Sequence, residues 1–299
     1  MRNIVQTAPY MHDGSDERLG AGEPARMKLG AYLRNMGPQS TPRTLVACAR
    51  VAEASGLDDV WVADHIAIPP DDAAGSGGRY LDPLATLAFL AGATERIGLG
   101  TGVLVLPYRP PLATAKWVAT IQELSGGRLR FGVGVGWMEP EFRAVGVARR
   151  DAAKVTDMTL EFVNRCFAND EVEANGQRFL FLPRPTRPPI LVGGAAPHAL
   201  RRAARFGDGW MPMGRDPDAL RSPVAQLREL FAAAGKGAPE VVMLTALPLD
   251  DPAAAAARAR AFADAGATGV VHGARYDDAD AFRRAVDVLA RHVAPALAG

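Results

Sequence analysis

From Met27 onward the chain alternates short apolar runs with longer amphipathic stretches, and it repeats that pair eight times. No other feature restricts the fold as much. Apolar runs joined by amphipathic crossovers specify a parallel sheet with helices packed over it. The runs fall at 28–33, 58–65, 97–107, 128–136, 190–194, 208–213, 240–247 and 269–274. They are near-continuous in apolar residues, as strands covered on both faces are. Helices are predicted at 41–56, 82–96, 110–127, 149–169, 197–207, 216–235, 251–266 and 278–293. The punctuation agrees: Thr41 is placed to cap the first helix, Pro42 to open it and Gly56 to stop it. Residues 171–189 have no clear period and read as an irregular insertion before strand five. Eight strand–helix units over about 270 residues is the count of a single (β/α)8 TIM barrel, an α/β fold. A doubly wound open sheet is the alternative, but it would carry a glycine fingerprint after strand one. The chain reads "GAYLRNMGPQ" there, without that fingerprint.

Residues 1–26 stand apart, with no periodic apolar face and a second half rich in Gly, Pro and charge. They read as an N-terminal extension, disordered or lying ahead of the functional start at Met27, with 27–299 as one barrel domain. Residues 2–15 resemble a segment of di-haem cytochrome c peroxidases. No C-x-x-C-H occurs in the chain, so haem attachment is not supported, and His12 reads as a solvated tail histidine. The 34 basic residues nearly balance the 33 acidic ones, leaving a net charge of +1. No bulk field therefore favours nucleic acid or an anionic membrane, and no window reaches the ~20 apolar residues of a transmembrane helix. Cys48 and Cys166 are isolated in predicted helices and read as buried thiols in a reducing compartment, so a cytoplasmic location is expected.

Barrels place their chemistry at the C-terminal ends of the strands. Here those ends supply Arg34 and Asn35, Asp64 and His65, residues 101–106, 134–141 and 193–196, Met213 and Gly214, Thr245 and Ala246, and residues 272–275. No pair of histidines has metal-ligand spacing, so no metal site is expected, and neither a nucleophile elbow nor a Walker loop occurs. The stretch "FGVGVGWMEPEF" (131–142) brings Gly132, Gly134 and Gly136, but Trp137 stands where a dinucleotide fingerprint needs glycine. Gly132 and Gly134 therefore read as strand positions facing a crowded interior, Gly136 as a rim position, and Glu139 and Glu141 as caps of the next helix. Gly193 and Gly194 precede a helix that opens near Pro197, where free N–H groups would suit a phosphate. A Gly-Gly pair also serves turn geometry alone, and the residues leave both readings open. His65 follows a buried strand. It reads either as a structural histidine held by Asp64 or as a rim histidine that contacts a redox cofactor or moves a proton.

Three blocks, "VWVADH", "LGTGVLVLPYRPPLATAKWVATIQELSGGRLRFGVGVGWMEPEF" and "PPILVGGAAPHALRRAARFGDGWMP", resemble the bacterial luciferase-like monooxygenase superfamily. Within it they look most like the deazaflavin oxidoreductases that use coenzyme F420. The resemblance implies a TIM barrel, often a homodimer, that transfers hydride between F420 and a small organic substrate. It implies Asp64 and His65 beside the deazaflavin ring, with His65 as the catalytic residue. It implies that Thr101, Gly102 and Val103 form a strand-three bulge behind the ring, with a non-proline cis peptide at Gly102–Val103. Gly134, Gly136 and Trp137 would edge the ring, and Gly193, Gly194, Ala195 and Ala196 would cradle the cofactor's phosphate. Relatives that act on sugar phosphates keep a glutamate directly after the strand-four glycines. Trp137 stands in that place, so that substrate is not expected. An FMN-dependent monooxygenase, using reduced flavin and oxygen, is the alternative. FMN-dependent members more often carry a hydroxyl in the phosphate turn, and "VGGAAP" has none. A barrel relative without catalysis is the third reading.

Overall fold

The computed structural model describes residues 26–298, and the expectations for residues 1–25, His12 among them, lie outside the described residues. Eight parallel strands close on themselves: β1 (Lys28–Tyr32), β2 (Asp59–Val62), β3 (Gly98–Thr101), β4 (Leu129–Gly134), β5 (Ile190–Gly193), β6 (Gly209–Met211), β7 (Glu240–Thr245) and β8 (Gly269–His272). Each pairs with its neighbour in sequence, and β1 pairs with β8, with Leu29 opposite Val270. Helices α1 (Pro42–Ala54), α2 (Pro83–Ala91), α3 (Pro111–Leu124), α4 (Glu139–Ala144), α5 (Ala152–Ala168), α6 (His198–Phe206), α7 (Asp218–Ala233), α8 (Pro252–Asp264) and α9 (Ala279–Val288) accompany them. This is the TIM barrel that the alternation specifies. The Thr41 hydroxyl accepts from Thr44 N–H as the sequence suggests, and Asp82, Asp251 and Asp278 cap α2, α8 and α9 in the same way.

Two segments differ from expectation. The run 97–107 is not one strand. Its extended backbone stops at Thr101 and resumes only for Leu104–Val105, which pairs with β4 at Val133 and Gly134. The insertion is not irregular throughout: Glu171–Ala174 and Gln177–Leu180 form an antiparallel hairpin. Its turn is Asn175 and Gly176, both at positive φ (51° and 77°), the two-residue turn that matches strand twist. The Asn-Gly pair was the signal.

The barrel interior is stratified. Near its N-terminal end sit charges: Arg130 donates to Glu240 at 2.5 Å and lies 3.9 Å from Asp59, and Lys28 lies 3.9 Å from Glu240. Above them Trp61, Leu191, Met211, Val242 and Val271 form an apolar layer against Tyr32, Val103 and Leu244. Trp61 fits because its neighbour is glycine: a Cβ on Gly100 would stand 2.2 Å from the indole ring. The larger apolar core lies between the outer strand faces and the helices.

His272, at the end of β8, is almost wholly buried, and its Nδ1 accepts from Leu247 N–H at 3.1 Å. Burial pushes its pKa down from 6.5 to about 4. Between those values the unfolded chain takes a proton at this site that the folded chain refuses. Its contribution to stability is therefore full above pH 6.5 and declines as pH falls toward 4, by at most about 1.4 kcal/mol per unit. Urea unfolding of wild type and His272→Asn, which keeps an acceptor for Leu247, should differ in slope across that window. Parallel curves would refute the assignment.

Candidate active site

The C-terminal mouth of the barrel holds a cavity of about 490 Å³. Its wall runs from Gly102 and Val103 after β3, across Gly193–Ala196 after β5, to Met211–Asp216 after β6 and Leu244 on β7. A second cavity of about 340 Å³ shares Met213, Gly214, Arg215 and Leu244 and continues to Tyr32, Thr245, Ala246 and Gly273. Six positions that the resemblance assigned to the cofactor thus meet around one space: Gly102, Val103, Gly193, Gly194, Ala195 and Ala196.

The break in strand three shapes the floor. The Gly102–Val103 peptide is cis, as the resemblance implied. The Tyr32 hydroxyl donates to Gly102 O at 2.8 Å. Burial, more than the neighbouring Tyr80 and Asp64, pushes the Tyr32 pKa far up, so the phenol stays a donor. The Val103 side chain lies in a hollow between two strands. A Cβ on Gly134 would come 2.6 Å from Val103 Cγ2, and one on Gly193 would come 2.8 Å from Val103 Cγ1. At Gly136 the same space is taken by Val105 and Phe142. Gly134 thus faces the crowded interior that the sequence implied, and Gly136 at the rim is packed by side chains as well.

After β5 the backbone turns at Gly194 (φ +116°) into the exposed Ala195 and Ala196 and then α6. Trp210 Nε1 donates to Gly194 O at 2.8 Å and fixes the turn's orientation. Among the described residues, the N–H groups of Ala195, Ala196 and His198 make no backbone hydrogen bond. A helix start with open donors beside a cavity is a seat for an anion.

The remaining candidates lie off this wall. Asp64 is buried, accepts from Val105 N–H at 2.8 Å and is gripped by both Arg109 Nη atoms at 2.6 and 2.9 Å. Its carboxylate is committed to the barrel wall and holds the β2 and β3 ends together. The Thr101 hydroxyl, fully buried, donates to Gly132 O at 2.6 Å and likewise faces protein. His65 and the exposed Trp137 stand together at the β2–β4 side of the mouth, ring edge to ring face at 6.1 Å. Glu141 is not a helix cap. It is fully buried, and its carboxylate accepts from Ile66 N–H, Ala67 N–H and the Tyr108 hydroxyl and contacts His65 Nδ1. Burial alone would raise its pKa; the Ala67 and Ile66 amides, Tyr108 and His65 outweigh that and hold it below the usual carboxylate range. Sequence reading missed Tyr32, Trp210 and Glu141 as site residues. Tyr32 ends β1 and Glu141 follows β4, so strand-end position was the available signal for both. Arg34 and Asn35, which the β1 end supplies, are tied to backbone oxygens of Tyr276 and Gly75, and of Ala63 and Leu81.

Among the described residues no helix is long and apolar enough to cross a membrane. Residues 27–295 match the family described as luciferase-like monooxygenase. An uncharacterised protein of Mycobacterium tuberculosis (strain ATCC 25618 / H37Rv) is 32% identical over 272 residues, covering 84% of this chain and 94% of that protein. The F420-dependent hydroxymycolic acid dehydrogenase of the same organism is 29% identical over 226 residues, 72% of this chain and 59% of that protein. Among solved structures, an F420-dependent secondary alcohol dehydrogenase in complex with an F420-acetone adduct aligns with TM-score 0.76 at 17% identity, covering 92% of this chain and all (100%) of that one. A monooxygenase of Streptomyces bottropensis gives TM-score 0.76 at 22% identity, covering 90% of this chain and 99% of that one. At these identities the two structures speak for the fold alone. With the family match spanning nearly all the described residues, this chain belongs to the luciferase-like monooxygenase family.

Proposed function

We propose that the protein is an oxidoreductase that transfers hydride between coenzyme F420 and a small organic substrate. The observation that carries the reading is the turn after β5, where open N–H groups at the start of α6 border the 490 Å³ cavity. No side-chain hydroxyl stands between Gly193 and Ala196, which favours the deazaflavin over FMN. The residues present fit a flat phosphorylated cofactor: backbone donors at one end, the Val103 floor in the middle and Met211, Met243 and Leu244 as apolar wall. A deazaflavin has carbon at ring position five and carries hydride while reacting poorly with oxygen.

The chain's own residues then have distinct tasks. The Ala195, Ala196 and His198 N–H groups hold the phosphate, and Trp210 keeps the turn that presents them. Tyr32 holds the Gly102 carbonyl and so fixes the floor. The methionines and Leu244 exclude water from the reacting atoms. His65 moves the proton that accompanies hydride transfer.

The F420-dependent dehydrogenase among the relatives supports this reading. The test is equilibrium binding of F420 and FMN to the pure protein in separate titrations, followed by absorbance and quenching. F420 binding with no FMN binding is the expected result. FMN binding alone would overturn it in favour of the flavin monooxygenase, and binding of neither would favour a barrel without catalysis.

A further inference from the structure

Four hydrogen bonds converge on one buried carboxylate. Glu141 Oε1 accepts from Ile66 N–H at 2.6 Å and Ala67 N–H at 2.9 Å. Oε2 accepts from the Tyr108 hydroxyl at 2.8 Å and stands 3.0 Å from His65 Nδ1. These partners come from different strand ends: residues 65–67 follow β2, Tyr108 follows β3, and Glu141 follows β4. Backbone amides only donate, and the Tyr108 phenol, whose pKa is pushed up first by burial and then by Glu141, is held as a donor too. An ionised carboxylate has no proton to give. The proton in the contact with His65 therefore belongs to Nδ1.

A neutral imidazole with its proton on Nδ1 carries its lone pair on Nε2. Among the described residues Nε2 of His65 makes no hydrogen bond, yet it is not among the sealed, unpartnered atoms, so solvent reaches it. The ring is held between Tyr80, 4.8 Å away centroid to centroid, and Trp137. A 180° flip of the ring would bring Cδ2, in place of Nδ1–H, against a buried carboxylate.

We propose that Glu141 is a positioning residue: it fixes the Nδ1–H tautomer of His65 and thereby keeps Nε2 as the acceptor presented to a ligand at the barrel mouth. Its bearing on catalysis rests on the acid/base task proposed for His65; the tautomer itself does not. The same carboxylate ties down the backbone that carries the imidazole, so the ring's protonation pattern and its place are set by one group.

Long-range 1H–15N spectra of the full chain, labelled in its five histidines, test this without any cofactor. His65→Asn assigns the resonance. In the neutral form, wild type should show a protonated Nδ1 and a bare Nε2 at His65. In Glu141→Gln the carboxamide oxygen is expected to keep the Ile66 and Ala67 amides and turn its NH2 toward Nδ1, which reverses the pattern to Nε2–H. Tyr108→Phe removes a bond to the same carboxylate but should leave the wild-type pattern. A wild-type spectrum with Nε2–H would overturn the proposal, as would an unchanged pattern in folded Glu141→Gln. If Glu141→Gln does not fold, the wild-type spectrum still decides. Because the spectra are taken on the cofactor-free chain, failure of the F420 assignment and failure of this proposal are separately visible.

Discussion

Replacing Arg130 with methionine is expected to destabilise the fold by about 3–5 kcal/mol, the usual effect of removing one member of a buried ionic cluster. The Arg130 side chain is only 9% exposed and stands between Glu240, at 2.5 Å, and Asp59, at 3.9 Å. Burial pushes the Asp59 carboxyl up, and Arg130 is the foremost group opposing that push. Without the guanidinium two acids face each other inside the barrel, with Lys28 left to neutralise them at 3.9 Å from Glu240. The combined variant Arg130→Met, Asp59→Asn, Glu240→Gln removes the stranded charge and should recover much of the loss. Equilibrium unfolding in urea checks both. A loss below 1 kcal/mol for Arg130→Met would show that water already reaches these charges. The cluster lies at the opposite end of the barrel from the cavity, so cofactor affinity of the folded variant should equal that of wild type.

Ala195→Glu is expected to do the reverse: weaken cofactor binding by ~100-fold, about 2.7 kcal/mol, and leave the fold intact. Ala195 is exposed and lies in the turn before α6, where its N–H is one of the open donors. A carboxylate there competes for the donors and repels a phosphate. The same charge is favourable for the helix start, by about 0.3–1 kcal/mol, so the melting temperature should hold or rise slightly. Titration of F420 against wild type and variant, with a melting curve for each, reads both effects. Affinity within about threefold of wild type would remove the phosphate from this turn.

The two ends of the barrel differed in how readily they could be read. Alternation of apolar runs and amphipathic stretches was enough for the barrel, and three helices, α1, α2 and α8, are also marked locally by Pro at the first helical turn and by an Asp or Thr before it. The turn at Gly193–Ala196 was legible for the same reason: its chemistry is in its own backbone. Asp64 and Glu141 were not. Both are acids at strand ends, and nothing nearby in sequence says which faces a ligand. Their partners, Arg109 for one and His65, Ile66, Ala67 and Tyr108 for the other, lie 45 and up to 76 residues away. Only the closed ring of strands brings those ends together. Gly134 was legible as a position facing a crowded interior, but the side chain that crowds it was not. The residue that takes the space beside it, Val103, sits on the neighbouring strand's extension.

Val103 has a further consequence, for how this site could diverge. Its two methyl groups are wedged against the places where Gly134 and Gly193 lack side chains, at 2.6 and 2.8 Å from any Cβ built there. A methyl added at 134 or 193 needs a smaller residue at 103, and a larger residue at 103 finds no space between the two glycines. Descendants of this sequence are thus expected to exchange the three positions as a set. A survey that scores each column separately would see three unrelated preferences where there is one shared volume.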